Sequence, residues 1–150
     1  MTRLIKAFWF VSLLAGLGIL LYIYAGLSDQ VAYMADDMGG MTYMSRESFF
    51  YISLAALVIA NFSLYTVSRS LKYRRESTND MMKGWQLGLA GVFNFFFIVV
   101  WNFISLINSG EKFDYDNFGY MIYVALGLIA VWILALPVLL IRHNQTTSEE

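Results

Sequence analysis

The sequence predicts an all-α polytopic membrane protein, a bundle of four transmembrane helices forming a single domain over residues 1–150. Three observations carry that prediction. The chain is 59% hydrophobic and only 14% charged, against about 45–50% and about 25% in soluble domains. Four runs, at about 7–27, 49–67, 87–107 and 120–141, hold no Asp, Glu, Lys or Arg. Each is close to the ~20 residues that cross ~30 Å of hydrocarbon as a helix. The cations also separate: Arg3, Lys6, Arg69, Lys72, Arg74, Arg75, Lys83 and Arg142 flank the runs on one side, and only Arg46 and Lys112 lie on the other. Positively charged flanks mark the cytoplasmic side, so both termini, the loop 68–86 and the tail 142–150 are expected in the cytoplasm, and the segments 28–48 and 108–119 outside an inner (plasma) membrane.

The first run comes after Arg3 and Lys6, as the core of a secretory signal would. It is longer than the ~7–15-residue core of such signals and holds Trp9, Tyr22 and Tyr24. It therefore reads as a retained first helix. The next segment, "LSDQVAYMADDMGGMTYMSRESFF" from Leu27 to Phe50, contains an acidic Gly-Gly turn at Asp36–Gly40. Ser45, Ser48 and Glu47 supply capping and dipole signals for the second helix. Its tyrosines and methionines suit a lipid–water interface. The alternative is an outward contact surface built from Asp36, Asp37, Met38, Met41, Tyr43 and Met44, since methionine-rich patches adapt to partners. The packed loop is the preferred expectation.

Helix two presents a narrow face of small residues, Ser53, Ala56, Ala60 and Ser63, with Asn61 well off it. Helix three gathers Gly84, Gly88, Gly91, Asn94, Asn102 and Ser105 within an arc of about 120° on an ideal helix, and turns Leu89, Phe93, Phe97, Val100 and Ile104 to the other side, expected to meet lipid. Glycines admit a neighbouring backbone and asparagine amides need partners in hydrocarbon. Helix three is thus expected at the centre, packed against helix two. The competing reading makes Asn61, Asn94 and Asn102 a polar path for a solute or ion. In helix four, Pro137 lies near the inner end and is a site for a kink. "FFYISLAAL" (49–57) and "FGYMIYVAL" (118–126) share Phe, Tyr, Ala and Leu in register, a faint sign of duplicated hairpins.

The chemistry is sparse. There is no cysteine, the single histidine is His143 in the tail, and the spans carry no Asp, Glu, Lys, Arg or His to relay a proton. No catalytic residue, cofactor or metal site is expected. The acidic outer residues, among them Asp29, Asp36, Asp37, Glu47, Glu111, Asp114 and Asp116, lack the alternating spacing of a calcium loop and read as solvated surface.

The order Leu27, Val31, Asp36, Gly39, Tyr43, Ser45 and Arg46 resembles the first outer loop of a bacterial membrane module of unknown function that also occurs in Sdp-type immunity proteins. Ser28 stands where that pattern has proline, Met34 and Ala35 where it has a histidine and an aromatic residue, and the turn is one residue short. The resemblance covers about the first 65 residues. It implies a small bacterial envelope protein and assigns no catalytic residue. The expected role is therefore a non-enzymatic accessory, immunity-like or complex-forming protein of the envelope, whose partners are the lipid bilayer and a membrane protein or a second copy, and not nucleic acid. The alternative is a small transporter or channel component.

Overall fold

In the computed structural model of the chain, which describes residues 2–35, 40–73, 75–110 and 115–146, four long helices enclose one core. Helix α1 spans Thr2–Gly26, α2 Arg46–Ser70, α3 Glu76–Ile107 and α4 Tyr115–Thr146, with strands β1 (Gln30–Ala35) and β2 (Met41–Ser45) between α1 and α2. All four helices are long and apolar enough to cross a membrane. The chain has the architecture of a multi-pass membrane protein.

Helix boundaries depart from the apolar runs in one direction. The loop expected over 68–86 shrinks to the few residues between Ser70 and Glu76, because an amphipathic helix continues past the hydrocarbon. Helix α3 has 32 residues, about 48 Å at ~1.5 Å per residue, and its first turn carries Glu76 at the end where a negative charge suits the helix dipole. Pro137 lies inside α4, which runs on to Thr146.

Helix α3 packs against α1, α2, α4 and β1, whereas α4 touches α3 alone among the described elements. The central place expected for α3 is observed. Its supposed lipid side is not: Leu89 is buried, and Phe97 and Ile104 pack against the main apolar cluster. With neighbours on three sides, α3 keeps little of its circumference for lipid, and from Gly84 to Gly91 only Trp85 is even half-buried rather than buried. That cluster, Leu20, Ile23, Leu27, Val31, Phe49, Leu57 and Trp101, sits at the distal end, beneath the strands. The basal end carries the turn between α2 and α3.

The strands form an antiparallel hairpin, Gln30 opposite Ser45 and Ala35 opposite Met41, with an irregularity between Ala32 and Met34 that leaves Tyr33 unpaired as a bulge. An interfacial loop is the expectation from sequence, and the hairpin corrects it. The physical reason is local composition: Val, Tyr, Thr and Met on either side of Gly-Gly have strand character. Ser45 caps α2 as expected: its Oγ accepts from Ser48 N at 3.1 Å.

Candidate functional site

An asparagine amide in hydrocarbon has no water to satisfy it, so its partners must come from other helices. Asn61 on α2 and Asn94 on α3 solve this together. Asn61 Nδ2 donates to Asn94 Oδ1 at 2.6 Å, and Asn94 Nδ2 returns a bond to Asn61 Oδ1 at 3.2 Å. Helix α1 completes the group: Trp9 Nε1 donates to Asn61 Oδ1 at 2.8 Å, and Asn94 Nδ2 donates to Ser12 Oγ at 2.9 Å. The remaining donors go to helix carbonyls, Asn61 Nδ2 to Leu57 O and Ser12 Oγ to Trp9 O. Three helices are thereby joined through one closed network. Sequence reasoning misses its contributors Trp9 and Ser12, since an indole near a helix start reads as an interface anchor.

Asn61 also corrects the face of α2. The buried residues there are Phe49, Ser53, Leu57, Asn61 and Ser68, whereas Ser63 is exposed and Ala56 and Ala60 are not fully buried. At ~100° per residue Asn61 and Ser63 lie about 80° to opposite sides of Ser53. The helix turns the amide inward, because leaving it in lipid costs more than small side chains gain by close approach.

The glycines of α3 act as expected, by receiving side chains. A Cβ on Gly88 would overlap Trp132 of α4, one on Gly91 would lie 2.5 Å from Phe8 Cε1, and one on Gly84 would lie 3.0 Å from Ile5 Cδ1. The partners are α1 and α4 rather than α2. Trp132 is fixed by a reciprocal pair, Trp132 Nε1 to Trp85 O and Trp85 Nε1 to Trp132 O, both 3.0 Å. Asn102 does not join this face. It is exposed and donates to Ile98 O of its own helix at 2.8 Å, beside a cleft of about 460 Å³ shared with Ser105, Ser109 and Met121.

The hairpin is fixed from below. Val31 is buried in the main cluster and Met44 packs against it. Asn108, at the end of α3, takes the place of a third strand: Ala32 N donates to Asn108 Oδ1 at 2.8 Å, and Asn108 Nδ2 donates to Ala32 O at 2.9 Å. Arg46 closes the base, with its backbone N donating to Asp29 O at 3.0 Å, Nη2 3.4 Å from Asp29 Oδ1 and its guanidinium over the Tyr24 ring. Above this base Tyr33, Met34, Met41 and Tyr43 are exposed. Of the residues expected to form an outer contact, Met41 and Tyr43 are therefore available and Met44 is not, because its place opposite Val31 turns it to the core. Asp36, Asp37 and Met38 lie outside the described residues.

Among the described residues, no group of three or more His, Cys, Asp or Glu side chains gathers as metal ligands do. His143 Nε2 meets Ser77 Oγ at 3.2 Å, linking the basal ends of α3 and α4, a pairing that sequence separation conceals. No family model, curated protein or solved structure matches the chain.

Proposed function

We propose that this is a small, non-enzymatic accessory protein of a bacterial plasma membrane, with both termini in the cytoplasm, that forms a complex through its outer hairpin as an immunity-like protein would. The observation that carries this reading is the division within the hairpin. Its base is locked by Val31, Asn108 and Arg46, and its upper part leaves Tyr33, Met34, Met41 and Tyr43 exposed. A fixed scaffold that presents aromatic and thioether side chains loses little entropy on binding a partner. The saturated bonds of Asn61 and Asn94 also favour packing over conduction, since a conducting path needs polar groups free to exchange partners. The resemblance of the first outer loop to the Sdp-type module agrees with an envelope role.

The test is photo-crosslinking in the native membrane from position 34, with position 62 on the exposed flank of α2 as the lipid-facing control. A discrete protein adduct from 34 alone, lost in Met41→Ser/Tyr43→Ser, is the expected result. Lipid adducts from both positions would overturn the reading. Transport, the second reading, draws on the cleft beside Asn102, Ser105 and Ser109; it requires solute or ion flux in proteoliposomes that Asn102→Leu removes without loss of folding.

A further inference from the structure

We propose that the basal cleft between α1, α2 and α3 is a phosphate-recognition site that holds the headgroup of an anionic phospholipid. The cleft has a volume of about 490 Å³, and Lys6 of α1, Arg69 of α2 and Lys83 of α3 converge on it. Among the described residues none of its lining side chains is acidic, and none of the three cations forms a salt bridge. Three like charges facing one space repel one another unless an anion enters from outside. Arg69 lies over the Tyr65 ring at 5.5 Å, and Tyr65 stacks on Trp9 at 5.2 Å, so the guanidinium is held over a rigid aromatic wall instead of sweeping through solvent.

The rest of the lining selects the source of the phosphate. Phe10 and Leu87 continue the wall along the apolar length of the helices, which suits the glycerol and upper acyl carbons of a lipid and offers nothing to free phosphate. Tyr65, one turn before Arg69, is of a residue type that settles at headgroup depth. Arg69 stands in the last turn of α2 and Lys6 near the start of α1, the depth at which basic pockets between spanning helices take anionic headgroups. The cleft is independent of the outer hairpin and does not rest on the complex-forming role.

The experiment measures lipid binding to the full chain in mild detergent, by native mass spectrometry and by thermal unfolding, with phosphatidylglycerol, phosphatidylcholine of the same acyl chains, and inorganic phosphate as separate additions. Phosphatidylglycerol should bind and raise the unfolding temperature, and the other two should not. At about fivefold per cation near a charged surface, Lys6→Gln/Arg69→Gln/Lys83→Gln should weaken that binding roughly a hundredfold. Arg3→Gln/Lys72→Gln/Arg75→Gln, which removes the same charge from the same end outside the cleft, should keep it within about fivefold. Single Lys6→Gln and Lys83→Gln variants give the same answer in roughly fivefold steps if the triple variant unfolds. Equal binding of phosphatidylcholine, stabilisation by inorganic phosphate alone, or equal loss in both triple variants would each overturn the assignment.

Discussion

Helices α2 and α4 share four of nine residues in register near their starts and end in opposite places. In the aligned stretches "FFYISLAAL" and "FGYMIYVAL", Leu57 is fully buried, while its counterpart Leu126 is 46% exposed. Helix α2 meets both α1 and α3, and α4 meets only α3 among the described elements. The difference arises one turn further along each helix. Asn61 comes one turn after Leu57 and must find partners, so it draws α2 into the bundle; α4 has no polar residue at the matching depth, and is held by the Trp85–Trp132 pair and the Ser77–His143 contact. Apolar content decides that a helix spans, and a few polar groups decide where it stands.

The strongest way to break this comparison is to remove the amide that anchors α2. In Asn94→Leu, Asn61 loses its partner on α3 and Ser12 loses its donor. The change breaks three interhelical bonds, and at ~1 kcal/mol for each such bond in a bilayer the expected loss is about 3 kcal/mol. Unfolding in mild detergent should report it. Asn61→Leu/Asn94→Leu should cost less than the two single changes added together, since removing both partners leaves fewer orphaned groups. Additive losses would show that the two amides act separately.

The attachment of α4 gives the next test. A methyl group on Gly88 collides with the Trp132 ring, which cannot swing aside without giving up the hydrogen bond from its Nε1 to Trp85 O. Overpacking of this kind costs ~1–3 kcal/mol, so Gly88→Ala should lose about 2 kcal/mol, read as earlier unfolding in mild detergent. Gly91→Ala also meets an aromatic ring, but Phe8 is 57% exposed and is free to rotate outward. The loss there should be well under about 1 kcal/mol, by the rule that sites able to relax absorb added volume. Equal damage at both glycines would refute a special role for the Trp132 anchor.

How much of this is legible in the sequence depends on which signals are local. The four spans and the Ser45 cap are written in composition and in adjacent residues, and Gly84, Gly88 and Gly91 announce a close-packed face because a missing side chain is informative wherever helices meet. The identity of the neighbour is not readable, since Phe8 and Trp132 lie far away in the chain and nothing local selects them. The same holds for Trp9 and Ser12, whose partners are on α2 and α3. Asn102 looks equivalent to Asn94 because it shares its arc, yet Asn94 lies where α1 and α2 both cover α3, and Asn102 lies beside an open cleft. The hairpin stays hidden because its strands are built from residues that equally suit a lipid interface, and the Asn108 clamp that completes its edge comes from a distant helix end.

The smallest expected effect isolates shape from polarity. Leu57→Ala and Leu126→Ala delete the same atoms from matched positions on α2 and α4. In a soluble core the buried change would cost ~2–5 kcal/mol, part of it from exposing the chain to water on unfolding and part from the cavity. In a bilayer the unfolded reference is still apolar, so only the packing share remains. Leu57 contacts the space above Gly16 as well as the main cluster, and its neighbours are held by the network one turn below, so the cavity should collapse only in part. About 1 kcal/mol is the expected loss for Leu57→Ala, scaled down from that soluble range. Leu126→Ala should change nothing measurable in detergent, because lipid or detergent fills the space that the side chain leaves. A loss at position 126 as large as that at 57 would mean that α4 carries a neighbour on its exposed side, and crosslinking from 126 would then distinguish a second copy of the chain from a different membrane protein.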